Sequence, residues 1–215
     1  MYPAKYAKTH PGRAAFIMAS TGETVSYREL DERSNQLAHL LRQQGLKRSD
    51  HFSIFMENNN RYLECSAAGE RTGLYYTCIN HYLKGDELAY ILNNSESRIL
   101  IVSKSKLAVA QDALKNCPDI SMCLVIGALA EDLPEPNENG TQFQLFEEAV
   151  SHYPRSLQFS YHALAVPRGY DLSISSSALP LGPAGGCEPN HSHGRNRYNY
   201  GAFRSRGLSG LCRSI

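Results

Sequence analysis

Gly73 to Ser103, GLYYTCINHYLKGDELAYILNNSESRILIVS, restricts the fold of this chain more than any other stretch. Leu74 to Ile79 is rich in aromatic and β-branched residues, which suit a pleated, buried surface. Asp86 to Leu92 changes to helical spacing, with Leu88, Ile91 and Leu92 at i, i+3 and i+4. Arg98 to Val102 then returns to a short apolar run, the pattern of a strand covered on both faces. Two strands joined through a helix imply a parallel βαβ unit with a right-handed crossover.

The same alternation runs through the first 150 or so residues. Tyr2 to Met18 reads as a surface segment entering a short strand, AAFIM, and Gly22–Glu23 as a turn. Thr24 and Val25 begin the approach to a helix. Ser26 and Glu29 have the spacing of a capping box, and Leu30, Ser34, Leu37 and Leu41 form one stripe up to a left-handed stop at Gly45. His51 to Met56 is the next strand, and Asn58–Asn59 a turn. Arg61 to Arg71 is a helix with Gly69 in its middle, where glycine costs about 1 kcal/mol against alanine. Lys104 to Asn116 is a helix with Leu107, Ala110 and Leu114 inward. Ser121 to Ile126 is a strand, Glu131 to Gln142 an acidic loop, and Phe143 to His152 a short amphipathic helix. The fold class expected is therefore α/β, a partial doubly wound and mostly parallel sheet with flanking helices, followed by an irregular tail.

GLYYTCIN, with the helix and strand AYILNNSESRILIVS after it, resembles the adenylate-forming (AMP-binding) acyl-CoA synthetases, and more narrowly the fatty-acid–CoA ligase branch. The segment SYRELDERSNQLAHLLRQQGLKRSD is similar to that family's first long helix, with Ser49 where the family normally has glycine before Asp50. In ECSAAGERTG the family usually places a bulky residue near Ser66, which implies a helix packed less well than its relatives. The resemblance covers residues 1–154, part of one lobe of the family's large N-terminal domain; the later two-thirds of such an enzyme is expected to lie outside this sequence. It implies an enzyme that joins fatty acid, ATP and CoA into acyl-CoA, AMP and pyrophosphate, with Mg²⁺ offsetting phosphate charge.

Composition divides the chain near Pro154. Residues 1–154 hold 15 Lys+Arg and 19 Asp+Glu, whereas residues 155–215 hold seven Arg, no Lys, one Asp and one Glu, with ten Ser and eight of the 16 Gly. In the family a phosphate-holding loop of the form S-S-G-T-T-G-x-P-K-G follows some twenty residues after the position matched by Pro154. Ser173 to Pro189, SISSSALPLGPAGGCEP, has no Thr pair and no Lys there, and Pro180 and Pro183 remove amides that a phosphate cradle needs. Read one nucleotide earlier, suitable codons for SALPLGPAG permit Gly-Thr-Thr-Ala-Arg-Pro-Arg-Gly, though not the Ser that normally precedes it. The tail from about Arg155 is accordingly read as a frame-shifted or mis-spliced continuation.

No catalytic, cofactor-binding or metal-ligating residue carries over from the resemblance, because the matched part is scaffold, and no cofactor is expected for this fragment (the family uses ATP, Mg²⁺ and CoA). Within the tail, His191, Ser192 and His193 near Cys187 could suggest a metal, and Arg195, Arg197, Tyr198 and Tyr200 single-stranded nucleic acid. Neither pattern has a complete ligand set or a folded platform, and a disordered, partly basic tail is the reading taken. His39 is expected to be an exposed helical residue, and Tyr75 and Tyr76 core and rim of the sheet rather than an acyl pocket. A net charge of +1 gives no electrostatic case for nucleic acid. The six cysteines lack finger spacing, no run is long enough to span a membrane, and the N-terminus lacks a secretory core, so a cytoplasmic protein with reduced thiols is expected. The functional expectation is an acyl-CoA synthetase by descent, truncated and inactive. The alternative is a non-catalytic acyl-binding or protein-interaction module. An open edge and part of one open face of the sheet would favour self-association.

Overall fold

A computed structural model of the chain describes residues 3–156. The tail expected over residues 155–215, with His191, His193, Cys187, Arg195, Arg197, Tyr198 and Tyr200, lies outside the described residues apart from Arg155 and Ser156. Helix α1 (Pro3–Thr9) precedes a small antiparallel hairpin, β1 (Ala14–Ile17) and β2 (Thr24–Ser26). Helix α2 (Tyr27–Gln43) follows, then β3 (His51–Phe55), α3 (Tyr62–Thr72), β4 (Tyr75–Cys78), α4 (Gly85–Asn94) and β5 (Ser97–Ser103). A 3₁₀ turn at Lys104–Lys106 leads into α5 (Leu107–Leu114), β6 (Met122–Ile126), β7 (Gln142–Leu145) and α6 (Phe146–Ser151).

Five strands form one sheet in the order β4-β3-β5-β6-β7, and every pairing in it is parallel. The two strands of the central βαβ unit, β4 and β5, are not neighbours, because β3 lies between them and pairs with both. One face of the sheet carries Phe52, Ile54, Ile99, Ile101 and Leu124, packed with Leu37, Leu41, Cys65, Ala68 and Phe146 of α2, α3 and α6. The other face carries Phe55, Leu100, Val102, Cys123 and Val125, packed with Leu88, Leu92, Ala110 and Leu114 of α4 and α5. Helices on both faces of a parallel sheet are the doubly wound arrangement expected from the alternation. Both faces of the central strands are thus covered by the chain's own helices, whereas the edge strands β4 and β7 stay partly exposed. The sheet's edges are β4 and β7, where Tyr75 and Cys78 are exposed.

Local chemistry explains where α2 begins and ends. The Ser26 hydroxyl accepts from the Glu29 amide at 3.3 Å, and the Glu29 carboxylate accepts from the Ser26 amide at 2.8 Å, so the capping box forms as expected. Leu30, Ser34, Leu37 and Leu41 are all buried, and Gly45 has φ +81° just beyond the helix. Ser49 is held at φ +73°, a left-handed conformation that costs an L-residue about 1–2 kcal/mol; glycine would adopt it without that cost.

Local details add to the sequence expectations or correct them. The expected surface segment forms a helix over Pro3–Thr9, with Tyr6 stacked on Tyr27 at 5.1 Å. Thr24–Ser26 is a strand paired to β1, not merely the approach to a helix. Gln142–Leu145 is a fifth parallel strand, so the helix expected over Phe143–His152 starts only at Phe146; pairing to Met122–Val125 overrides the local periodicity of residues 143–145. In α3, Gly69 lies against the sheet. A Cβ on Gly69 would lie 2.6 Å from Tyr76 Cδ1 and 3.2 Å from Phe52 Cε1, so the missing side chain is the space that the Tyr76 ring fills.

Candidate functional site

In an open parallel sheet, ligands bind outside the carboxyl ends of the strands where strand order reverses. Here the chain leaves β3 toward β4 on one side and returns through β5 on the other, so the reversal falls between β3 and β5. Glu57, just past β3, sits at that point. Its Oε2 accepts from the Ser103 hydroxyl at 2.6 Å and the Ser105 hydroxyl at 2.8 Å. Burial works to raise the Glu57 carboxyl, but the two hydroxyl donors, its own amide and the nearby Lys106 charge together bring it below the usual range. Lys104 lies 2.7 Å from Asp132, whose carboxyl also accepts from the Leu129 amide and is held low by both contacts, Lys104 first. The polar groups at this end of the sheet are therefore engaged with one another. Sequence reasoning missed Glu57. The only signal available was a carboxylate directly after a buried strand.

Asn58 and Asn59 follow Glu57. The Asn59 side chain accepts from the Arg61 amide at 2.9 Å, so it serves as the structural turn expected of it. Beside this turn, Phe16 to Ser20 of the hairpin face Tyr62 and Leu63 across a partly apolar groove of about 410 Å³. Ile17 and Leu63 remain 61% and 45% exposed, which leaves apolar surface available there. Burial, with the neighbouring Cys78, pushes the Tyr62 hydroxyl well above its ordinary pKa, so it stays a neutral donor.

A second, more polar cleft of about 600 Å³ opens between α2, α3 and α6. At its floor Glu64, 1% exposed, takes Arg33 Nη1 at 3.1 Å and Arg61 Nη1 at 3.1 Å, and Arg61 reaches Glu147 at 3.6 Å. Burial raises the Glu64 carboxyl above its ordinary pKa despite both guanidiniums. Across the other end of the sheet, Asp50, His51, Glu96, Arg98 and Asp119 surround a cavity of about 450 Å³, with Arg98 3.4 Å from Asp50. Among the described residues, no group of three or more His, Cys, Asp or Glu is arranged to hold a metal ion.

The residues singled out from sequence divide between scaffold and surface. Tyr76 is half-buried against Phe52, with ring centroids 6.1 Å apart, and Tyr75 is an exposed rim residue set edge-on to His51. His39 departs from expectation. It is half-buried, and its Nε2 lies 3.0 Å from the Ser156 carbonyl.

The fold and the match of residues 4–160 to the family model described as AMP-binding enzyme place the chain in that family: it belongs to the AMP-binding enzymes. It is 31% identical over 116 residues to 3-oxocholest-4-en-26-oate–CoA ligase of Rhodococcus rhodochrous, covering 54% of this chain and 20% of that protein. Its match to medium-chain-fatty-acid–CoA ligase of Ectopseudomonas oleovorans is 22% identical over 209 residues, covering 82% of this chain and 38% of that protein. The solved structure of the anthranilate CoA ligase AuaEII, in complex with anthranoyl-AMP, superposes with a TM-score of 0.63 at 18% identity. It covers 74% of this chain and 28% of that one, a likeness of fold. The chain thus spans about a fifth to two-fifths of the length of these two curated relatives. No helix among the described residues is long and apolar enough to cross a membrane.

Proposed function

We propose that residues 3–156 are the scaffold portion of an acyl-CoA synthetase of the fatty-acid–CoA ligase type, and that the chain does not itself adenylate a carboxylic acid. The observation carrying this reading is the carboxyl end of the sheet, where Glu57, Ser103 and Ser105 satisfy one another and Lys104 is paired to Asp132. None of these groups is set out to receive a triphosphate. The stretch at the place of the family's phosphate loop, Ser173–Pro189, has no Lys and no Thr pair. An ATP–pyrophosphate exchange assay with medium- and long-chain fatty acids should stay at background. Exchange that depends on fatty acid, and is abolished by mutating a tail residue such as Arg195, would overturn the reading.

A second reading rests on the groove of Phe16, Ile17, Met18, Tyr62 and Leu63, which could hold an acyl chain without catalysis. A thermal-shift series with fatty acids, acyl-CoA and ATP separates the two. Stabilisation by acyl ligands alone favours a binding module, and no shift with any of them favours the scaffold reading.

The tail is proposed to be a frame-shifted or mis-spliced continuation of the same gene. Its support is the change in Lys, Ser and Gly usage near Pro154 and the end of the family match at residue 160, although one relative's alignment takes in 82% of the chain. The nucleotide sequence over codons 150–190 decides it. An intact phosphate loop in another frame supports the proposal, and its absence from every frame removes it.

A further inference from the structure

Helix α2 has two working faces. Leu30, Ser34, Leu37 and Leu41 mark the stripe buried toward the core. Glu32, Asn35, Gln36 and His39 recur at i, i+3, i+4 and i+7 on the opposite side, since each residue turns the helix by about 100°. This second face meets the segment that leaves α6. Asn35 Nδ2 donates to the Arg155 carbonyl at 2.8 Å, and Gln36 Nε2 donates to the Tyr153 carbonyl at 3.0 Å. His39 Nε2 lies 3.0 Å from the Ser156 carbonyl, which can only accept. Glu32 and the Arg155 guanidinium add an ion pair at 3.4 Å, largely exposed and worth little.

The bonds from α2 go to backbone carbonyls, so they do not depend on which side chains residues 153–156 carry. They supply to a segment outside the sheet the partners that a neighbouring strand would otherwise provide. The arrangement is also set in advance. The Asn35 carboxamide oxygen accepts from Arg71, whose guanidinium is held by Asp31 at 3.1 Å and by the Ala67 carbonyl at 3.2 Å. With its oxygen committed to Arg71, the amide nitrogen of Asn35 must face the segment. Asn35 and Gln36 are buried at 2% and 9% exposure, unusual for amides on a helix unless they are bonded.

We infer that Asn35, Gln36 and His39 form a backbone clamp that fixes the departure point of the chain beyond α6. They are positioning residues. The stretch they hold precedes the place at which the family's phosphate loop is expected, so in this fold the clamp would set where that approach begins, whatever its sequence.

Trypsin cleavage after Arg155 reports the clamp directly, because a protease must lift the segment off α2 before cutting it. The full-length chain, Gln36→Met and Gln36→Met/His39→Leu would be digested briefly, and the product ending at Arg155 quantified by mass spectrometry. Cleavage in the exposed turn at Lys47–Arg48 serves as the internal reference. The Arg155 rate should rise about five-fold in the single variant and on the order of twenty-fold in the double, with the reference rate unchanged. An unchanged Arg155 rate, or an equal rise at both sites, would show that the contacts do not restrain the segment and would overturn the inference.

Discussion

Arg71→Leu is expected to destabilise the protein by about 3 kcal/mol, lowering the melting temperature by about 6–12 °C. Arg71 lies in the last turn of α3, where a basic residue usually lies in water beside the last carbonyls. Here its side chain is 1% exposed and ties α3 to α2 through Asp31 and Asn35. Leucine would fill much of the volume but leave Asp31 Oδ1 and the Asn35 oxygen without their donor, Oδ2 keeping only the long Asn35 contact of 3.4 Å. Asp31 is 21% exposed and keeps some hydration, which places the loss at the lower end of the range for a broken buried pair. Arg71→Lys keeps the charge without the fork and should recover only part of the loss. Thermal unfolding of the three proteins is the measurement. A leucine variant melting within 2 °C or so of the parent would mean the guanidinium contributes no more than a surface charge. Because Arg71 also orients Asn35, the leucine variant should further quicken cleavage after Arg155.

Gly69→Val should cost about 3 kcal/mol for a different reason, and it reverses a simple propensity argument. Every residue except proline is a better helix former than glycine in mid-helix, so helix propensity alone gives valine a small gain. The structure places the Tyr76 ring 2.6 Å from where the new Cβ must go, with Phe52 at 3.2 Å beside it. Tyr76 is held by the parallel register of β4 against β3, where it lies opposite Phe52. Its ring cannot withdraw without loosening that pair. Denaturant unfolding of Gly69→Ala and Gly69→Val would show the cost rising with side-chain size. A valine variant as stable as the parent would mean that α3 can move away from the sheet freely.

These two residues mark where sequence reasoning stops. The α/β class, the limits of α2, the buried strands 52–56, 98–102 and 122–126, and the family resemblance were all legible. Each rests on local chemistry: a capping hydroxyl, a period of 3.6, or a run of β-branched residues. The left-handed stop at Gly45 was legible for the same reason. The helix read over Phe143–His152 forms from Phe146 to Ser151, while its first three residues pair with β6 as a strand, too short a stretch for their own periodicity to prevail. Glu57 was not singled out because its two serine partners lie more than forty residues away.

The alternation of strands and helices, and the apolar stripe of each, can be read from the residues alone, because those depend on neighbours within a turn or two along the chain. It takes the folded chain to show that β3 separates β4 from β5, that Gly69 is the space for Tyr76, and that Arg71 and Asn35 are buried. The folded chain alone also shows that the polar face of α2 holds the backbone of residues 153–156. Each of these depends on groups brought together across the chain, and their energies come from burial and from satisfying polar atoms in a packed interior. No local pattern records which distant partner will supply that satisfaction.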